Sequence, residues 1–312
     1  MHYLSNGAIA AAAMAVSVVL AAPAPAMADT APLRVCLEED SPPYSFKFRK
    51  RQGGFDLAVA QALAARLGRP LEVQWFESEN DDENVPQWEA NALVADGLCD
   101  LVAGYPLFAA ALNAPPTGAL PEYDGMKRSE RGRIVALGTL VPTRPYHRAG
   151  FAVILGPAAQ DRQIRSLGDL KGVRIGAEVS TLAGAMLYRY GNGVLVPDIT
   201  HVRPSKGGVL KQLEAGAYDA TLVELHRYDA YRRKHADTTL TFSGWLHPVG
   251  INMAFVTLAR HEALRTQVDA ALAAMLESGE LKGFADEAGM TYVAPVAPAV
   301  LRAITPGMLT GG

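Results

Sequence analysis

Two hydrophobic patterns alternate along the chain. Short apolar runs at residues 33–36 and 71–75 are typical of buried strands, and residues 54–67 between them place apolar side chains at helical spacing up to Gly68. This order predicts a parallel β–α–β unit, and hence an α/β fold class. The same patterns predict further strands at 101–104, 151–155, 220–223 and 251–257, and helices at 85–95, 181–190, 209–214, 264–276 and 281–288.

One local pattern occurs twice. A glycine that ends a helix-like run leads into an apolar strand at residues 97–104 and again at 216–224, about 120 residues later. That interval is too long for a solenoid repeat and matches one small α/β lobe. We therefore predict two lobes with a cleft between them. Polar residues that follow such strands lie at the carboxyl edge of the sheet, where open α/β folds bind ligands.

Two segments break the regular pattern. Residues 107–127 are rich in proline and glycine, which predicts a long loop, and loops of this length are often functional or mobile. Residues 293–312 are rich in alanine, proline and glycine. They predict an extended, poorly packed tail.

The amino-terminal segment predicts export. Residues 8–28 contain no charged side chain, and residues 26–28 form a small-x-small cleavage site, so residues 1–28 are interpreted as a removable signal peptide and the mature protein as periplasmic. Its n-region lacks the usual lysine or arginine. A membrane anchor is the less favoured alternative, because Pro23 and Pro25 interrupt an apolar run that is short for a span of about 20 residues.

Charge and motifs exclude several classes of function. A net charge of −3 and a pI near 6.2 give no electrostatic reason for nucleic acid or an anionic membrane as partner. The chain has no nucleophile elbow, no zinc-binding His-Glu-x-x-His helix and no phosphate-binding loop. We therefore expect no catalytic residues, no metal and no cofactor.

The chain has two cysteines, Cys36 and Cys99, and both fall in or beside predicted strands of the first lobe. Export permits a disulfide if neighbouring strands bring the two residues together. Two buried thiols are the alternative, and both remain open at this point. Two cysteines alone make no metal site.

Several short motifs follow one another along residues 33–290: SPPYSF at 41–46, GFDL at 54–57, Glu130-Arg131, Pro145-Tyr146, DLKG at 169–172 and DATLVE at 219–224. This order resembles the bacterial extracellular solute-binding proteins of family 3. The resemblance implies a periplasmic binding protein type II-like fold and a monomer. It also implies that a small polar ligand, a carboxylate or amino-acid-like molecule, is captured between the lobes for an ABC transporter permease.

The family architecture also implies a domain organisation. After the signal peptide, lobe 1 comprises residues 30–148 and 248–292, lobe 2 comprises residues 149–247, and residues 293–312 form a tail. The chain then crosses twice between the lobes, which makes a hinge. Closure of such a hinge on a ligand shifts the population toward the form that a transporter recognises.

The resemblance implies two opposing charges in the cleft. Arg131, which follows Glu130, would bind the ligand carboxylate through its planar guanidinium. Glu224 would receive the amino group. The alternatives are a surface arginine at 131 and, for Glu224, an ion pair with Arg227 or His226 at the sheet edge.

Other family contacts fall on residues near the predicted strand ends. Ser180 and Thr181 lie where a helix amino terminus would meet the ligand, with Ser180 as the helix cap. Glu38 is the acidic contact of the first strand. Tyr44 and Ser45 are candidate walls of the cleft, although an aromatic residue at a strand end is more often part of the core.

A second resemblance competes with the first. Cys36, the segment 97–106 and the run TRPYHR at 143–148 are similar to periplasmic binding-protein homologues that accompany quinoprotein alcohol dehydrogenases. This resemblance implies the same bilobed fold. The function it implies is that of an accessory or assembly partner of the dehydrogenase, in place of a transport receptor.

Overall fold

A computed structural model of the protein describes residues 1–2, 31–78, 86–204 and 208–311. The predicted signal peptide lies outside the described residues, apart from Met1 and His2. None of the described helices is both long and apolar enough to cross a bilayer.

The strands and helices follow the predicted alternation. The strands are β1 (Leu33–Glu38), β2 (Asp40–Ser41), β3 (Ser45–Phe48), β4 (Arg51–Gly53), β5 (Leu71–Glu77), β6 (Leu101–Pro106), β7 (Thr117–Ala119), β8 (Glu122–Tyr123), β9 (Ile134–Ala136), β10 (Leu140–Pro142), β11 (His147–Leu155), β12 (Ile175–Glu178), β13 (Ile199–Val202), β14 (Ala220–Glu224) and β15 (Thr241–Leu258). The helices are α1 (Phe55–Leu67), α2 (Pro86–Ala95), α3 (Ala109–Leu112), α4 (Leu182–Arg189), α5 (Gly208–Glu214), α6 (Leu225–Lys234), α7 (Glu262–Ser278), α8 (Glu280–Ala288) and α9 (Pro306–Thr310).

The main sheet has the strand order β13-β12-β14-β11-β15-β6-β1-β5-β8, with β10 pairing to β15. At one end β1 pairs in parallel with β5 and β6, and at the other β12 pairs in parallel with β13 and β14. The long strands β11 and β15 are antiparallel and join the two ends. The predicted α/β class is confirmed.

Buried apolar side chains fall into two groups. In the first, α1, α7 and α8 cover one face of β1 and β5, and α2 covers the other. In the second, α4 lies on one face of β12 and β14, and α5 and α6 lie on the other. We call the first group lobe 1 and the second lobe 2. The exact boundaries of the lobes stay a prediction.

The start of α1 is fixed by a glycine. Gly54 has φ 115°, and a Cβ there would lie 2.4 Å from the carbonyl oxygen of Tyr44. Without a side chain at this point, Phe55 N donates to Pro43 O (3.0 Å) and Asp56 N donates to Tyr44 O (2.7 Å). The chain after β2 is thus held against the first turn of α1, which contains Asp56.

Cys36 in β1 and Cys99 just before β6 form a disulfide, with their Cα atoms 5.7 Å apart. Both residues are fully buried. Of the two alternatives that the sequence left open, the structure contains the disulfide. It links β1 to the turn that leads into its parallel neighbour β6.

The two irregular segments contain more structure than predicted. Within 107–127 lie α3, β7 and β8, and β7 pairs with β9 outside the main sheet. Residues 293–305 are extended as predicted, and none of residues 293–311 is fully buried, although specific contacts hold the tail to the rest of the protein. Asn252 donates to the carbonyl of Val296 (2.7 Å), and Met308 and Leu309 of α9 pack against the lobe 2 core. Composition alone does not reveal a side chain elsewhere in the chain that binds the tail.

Candidate functional site

Lobe 1 contains a cavity of about 140 Å³ at the carboxyl ends of β1 and β6. Three residues proposed from the sequence line it: Glu38, Tyr44 and Ser45. A fourth lining residue, Asp56, was not proposed as a ligand contact, although it stands in the GFDL motif. A signal was available, because Asp56 is a carboxylate that follows Phe55 in the first turn of a largely apolar helix.

Ser45 has a structural role at the cavity edge. The residue is 2% exposed, and its hydroxyl donates to the backbone carbonyl of Glu38 at 2.5 Å. The bond ties β3 to the end of β1 and thereby fixes the position of Glu38. The predicted wall residue therefore borders the cavity, while its hydroxyl proton is already used.

Asp56 is 3% exposed and is held by Tyr146. The Tyr146 hydroxyl donates to Asp56 Oδ1 at 2.6 Å and accepts from Gly104 N at 2.9 Å. Burial raises the pKa of the Asp56 carboxyl to about 7, and the charge of Glu38 adds to the rise while the Tyr146 hydrogen bond opposes it. A buried acid near neutrality is a frequent feature of functional sites.

The second carboxylate oxygen, Asp56 Oδ2, has no hydrogen-bond partner among the described residues. Gly104 in β6 lies over this oxygen with φ 66°, and a Cβ at that position would come within 3.2 Å of it. A residue without a side chain thus leaves space next to Oδ2. Both Gly104 and Asp56 line the cavity.

Tyr44 lies where the two lobes meet. Its ring centroid is 4.9 Å from that of His147 in β11 and 4.9 Å from that of His226 in α6. Neither ring nitrogen of His147 has a hydrogen-bond partner within the described part of the chain. Burial lowers the pKa of His147 to about 3 and that of His226 to about 4, so both imidazoles are neutral at pH 7.

Helix α6 of lobe 2 makes further contacts with lobe 1. The Arg233 guanidinium lies 5.5 Å from the centroid of the Phe46 ring and donates to the carbonyl of Ala288 at 2.7 Å. Asp229, which is fully buried, accepts from the backbone N–H of Thr291 at 2.7 Å. The lobes are therefore in contact through α6 in this structure.

Arg131 lies on the surface. Its guanidinium forms an ion pair with Glu122 at 3.0 Å, and the two side chains are 64% and 46% exposed. Arg131 is absent from the described lining of the cavity. The structure places it in the position of a surface arginine, which was the alternative interpretation of the sequence.

Glu224, at the end of β14, pairs with Arg227 at 3.3 Å. Arg227 at the same time forms two parallel hydrogen bonds with Glu178, whose side chain is 3% exposed. This pairing was also an alternative interpretation of the sequence. The structure does not bring Glu224 and Arg131 together, since each has a different partner.

Ser180 and Thr181 precede α4, and the cap of this helix is Thr181. Its hydroxyl accepts from Gly184 N at 3.0 Å and donates to Glu178 O at 2.8 Å. Ser180 has φ 61° and is not the cap that the sequence predicted. The reason is that the turn from β12 places the Thr181 side chain, one residue later, over the free N–H groups of the helix.

Replacing Arg227 by methionine is expected to destabilise the protein by about 3 kcal/mol, because the buried Glu178 carboxylate loses its bidentate cation. Chemical denaturation monitored by circular dichroism measures this difference. Arg174→Met is the matched control, since Arg174 pairs with Asp219 while 58% exposed, and we expect it to cost less than about 1 kcal/mol. Equal losses of stability in the two variants would contradict a stabilising role for the buried ion pair between Arg227 and Glu178.

Comparisons with known proteins define the fold class. No family model matches the chain. Among solved structures, the unliganded L-cystine solute receptor of Neisseria gonorrhoeae is similar with a TM-score of 0.61 at 17% identity, over 86% of this chain and 96% of the receptor. An ancestral cationic amino-acid solute-binding protein has a TM-score of 0.56 at 17% identity, over 82% and 94%. The fold is that of type II periplasmic binding proteins. The resemblance to solute-binding proteins of family 3 is therefore confirmed at the level of the fold.

A curated relative gives a more particular similarity. The chain is 31% identical to protein MoxJ of Paracoccus denitrificans over 148 residues, which is 46% of this chain and 37% of MoxJ. The chain therefore matches little more than a third of the length of that relative. The match supports the second resemblance drawn from the sequence.

Proposed function

We propose that the protein is a monomeric periplasmic solute receptor that binds a small polar ligand carrying an amino group and presents it to an ABC transporter permease. The observation that carries this proposal is the acidic cavity at the carboxyl ends of β1 and β6. Open α/β folds bind their ligands at this edge. The solved structures of similar fold include receptors named for L-cystine and for cationic amino acids.

The proposal assigns ligand contacts to Glu38 and Tyr44 and adds Asp56. Ser45 positions Glu38. Arg131 and Glu224 receive no ligand contact, because their charged groups have the partners Glu122 and Arg227. Ser180 and Thr181 likewise receive none, since the Thr181 hydroxyl already caps α4.

The contacts that α6 of lobe 2 makes with lobe 1 can transmit ligand binding to the arrangement of the two lobes. A ligand bound in lobe 1 beside Tyr44 lies next to the surface that His226 contacts, so occupancy and lobe closure are coupled. The proposed receptor has no catalytic step and no cofactor. Its output is the population of the closed form.

Thermal unfolding in the presence of a ligand panel tests the proposal. The panel comprises the protein amino acids, L-cystine, the n-alkylamines from methylamine to n-butylamine and the n-carboxylates of the same lengths. At a concentration of about 100 times its dissociation constant, a ligand that binds the native state adds about 2.7 kcal/mol of stability. We expect at least one member to raise the unfolding temperature by several degrees.

The variant Arg131→Ala distinguishes ligand binding in the cavity from ligand binding at Arg131, the contact that the family resemblance implies. We expect the ligand-dependent rise in unfolding temperature to be the same in this variant as in the wild type. A panel that gives no shift at all would contradict the receptor proposal. Loss of the shift in Arg131→Ala would restore Arg131 as a ligand contact.

The second candidate function is that of an accessory partner of a periplasmic quinoprotein alcohol dehydrogenase. The MoxJ match favours it, and so does the run at 143–148, in which the Tyr146 hydroxyl donates to the cavity residue Asp56. Analytical ultracentrifugation with a purified quinoprotein alcohol dehydrogenase tests it. A stable complex, together with no response to the ligand panel, would favour this candidate over the receptor.

A further inference from the structure

The tail begins beside the two strands that join the lobes. Arg148 in β11 donates its backbone N–H to the carbonyl of Val293 at 2.9 Å. Arg148 also lies opposite Asn252 where β11 pairs with β15. Because β11 and β15 carry the sheet from one lobe to the other, the tail starts as a third segment alongside this junction.

Asn252 binds the tail at the same junction. The residue is 5% exposed, and its side-chain amide donates to the carbonyls of Val296 at 2.7 Å and of Ala299 at 3.0 Å. Its Oδ1 accepts from Val296 N at 3.2 Å. A buried amide needs partners for its polar atoms, and within the described part of the chain the tail supplies them. The path of the tail is therefore fixed from a strand that joins the lobes.

Leu301 attaches the tail to lobe 1. Its N–H donates to Leu107 O at 2.8 Å, and its carbonyl accepts from Ala109 N at 3.0 Å. Ala109 begins α3, and Ala111 and Leu112 of this helix pack against the lobe 1 core. Two backbone hydrogen bonds thus connect the tail to a packed part of the first lobe.

The short helix α9 attaches the tail to lobe 2. Met308 and Leu309 pack against the lobe 2 core, and the Thr305 hydroxyl caps the helix by accepting from Met308 N at 3.4 Å. Residues 302–305 connect this attachment to the one at Leu301. An extended chain spans about 3.5 Å per residue, so this short linker limits how far the two attached surfaces can separate before one detaches.

We propose that the tail is a strap across the hinge that restrains separation of the lobes. It is attached to lobe 1 at Leu301, to the joining strands at Asn252, and to lobe 2 at Met308 and Leu309. Wide opening of the cleft therefore requires α9 to leave lobe 2. A helix of five residues is not stable alone, and neither Met308 nor Leu309 is fully buried, so this detachment is a local event. The inference goes beyond the proposed function, since it does not depend on what the cavity binds.

The distance between two spin labels, measured by pulsed electron paramagnetic resonance, tests the inference. Gln52→Cys in β4 and Lys234→Cys in α6 supply the label sites, because both residues are exposed and flank the contact between the lobes at Phe46 and Arg233. The two native cysteines are in the disulfide. With the tail intact we expect one narrow distribution of distances.

The variant Met308→Ser/Leu309→Ser removes the attachment to lobe 2. We expect it to add a second population of molecules in which the labels lie several ångströms further apart. Trypsin shows whether the strap is released, because Arg302 is exposed and lies in the linker. Cleavage after Arg302 should be at least tenfold faster in the variant than in the wild type.

The variant Ile134→Ser/Val196→Ser is the matched control. It also removes two apolar side chains, one from each lobe, but they are 61% and 47% exposed and lie outside the tail. We expect it to change neither the distance between the labels nor the rate of cleavage.

Three results would overturn the inference. Faster cleavage after Arg302 with an unchanged label distance would show that the contacts of α6 alone hold the lobes together. Unchanged cleavage would show that Met308 and Leu309 do not attach the strap. Equal effects of the control variant would trace the change to a general loss of apolar side chains. None of these results bears on the receptor function, which the ligand panel tests separately.

Discussion

Replacing Cys36 and Cys99 together by alanine is expected to lower the free energy of unfolding by about 4 kcal/mol. The disulfide joins residues that are 63 positions apart in the sequence. In the chain-entropy description, a cross-link that closes a loop of this length removes about 4 kcal/mol of freedom from the unfolded chain. For a domain whose total stability is about 5–15 kcal/mol, this is a large fraction.

Denaturant titrations of the oxidised wild type, the reduced wild type and the double variant measure this effect. We expect the reduced wild type and the double variant to unfold at similar, lower denaturant concentrations, and the double variant to be insensitive to reductant. A loss below about 1 kcal/mol in the double variant would show that the cross-link contributes little to the stability of lobe 1.

Asp56→Asn is expected to stabilise the protein by about 4 kcal/mol at pH 8 and to have little effect at pH 4. Burial raises the pKa of Asp56 from 3.8 to about 7, so the folded protein holds a proton that the unfolded chain releases between these values. The stability of the wild type therefore falls as the pH rises from about 4 to about 7. Three pKa units correspond to about 4 kcal/mol.

An asparagine at position 56 removes this cost and still accepts the Tyr146 hydroxyl. Free energies of unfolding at several pH values from 4 to 8 give the difference between wild type and variant, in which the titration of other groups largely cancels. Asp161→Asn, which changes a solvent-exposed carboxylate, should show a constant difference near zero. A constant difference for Asp56→Asn as well would contradict a buried, ionised Asp56 at pH 8.

The elements that local apolar spacing defines were predicted well. Residues 71–75 lie within β5 (Leu71–Glu77), and residues 264–276 lie within α7 (Glu262–Ser278). In both elements the apolar residues lie on one buried face, so their spacing along the sequence shows the type of element. This spacing can be recognised within a single short segment. The glycine-to-strand repeat likewise marks β6 and β14, which lie on opposite sides of β11 and β15.

The candidate site was predicted only in part, because its decisive contacts join distant segments. Tyr146 binds Asp56 across 90 positions of sequence, and the burial that raises the pKa of Asp56 likewise comes from packing between distant segments. Arg131 was placed in the cleft by its motif. Its actual partner, Glu122, follows from the folding of residues 117–136 into β7, β8 and β9, which spacing along the chain does not specify.

A crystal structure of the protein with the panel member that most raises its unfolding temperature tests the central claim most directly. The account predicts that the ligand occupies the lobe 1 cavity, with its amino group within hydrogen-bond distance of Asp56 Oδ2 and close to Glu38. A ligand bound at Arg131 or Glu224, and absent from the space between Glu38 and Asp56, would contradict the account.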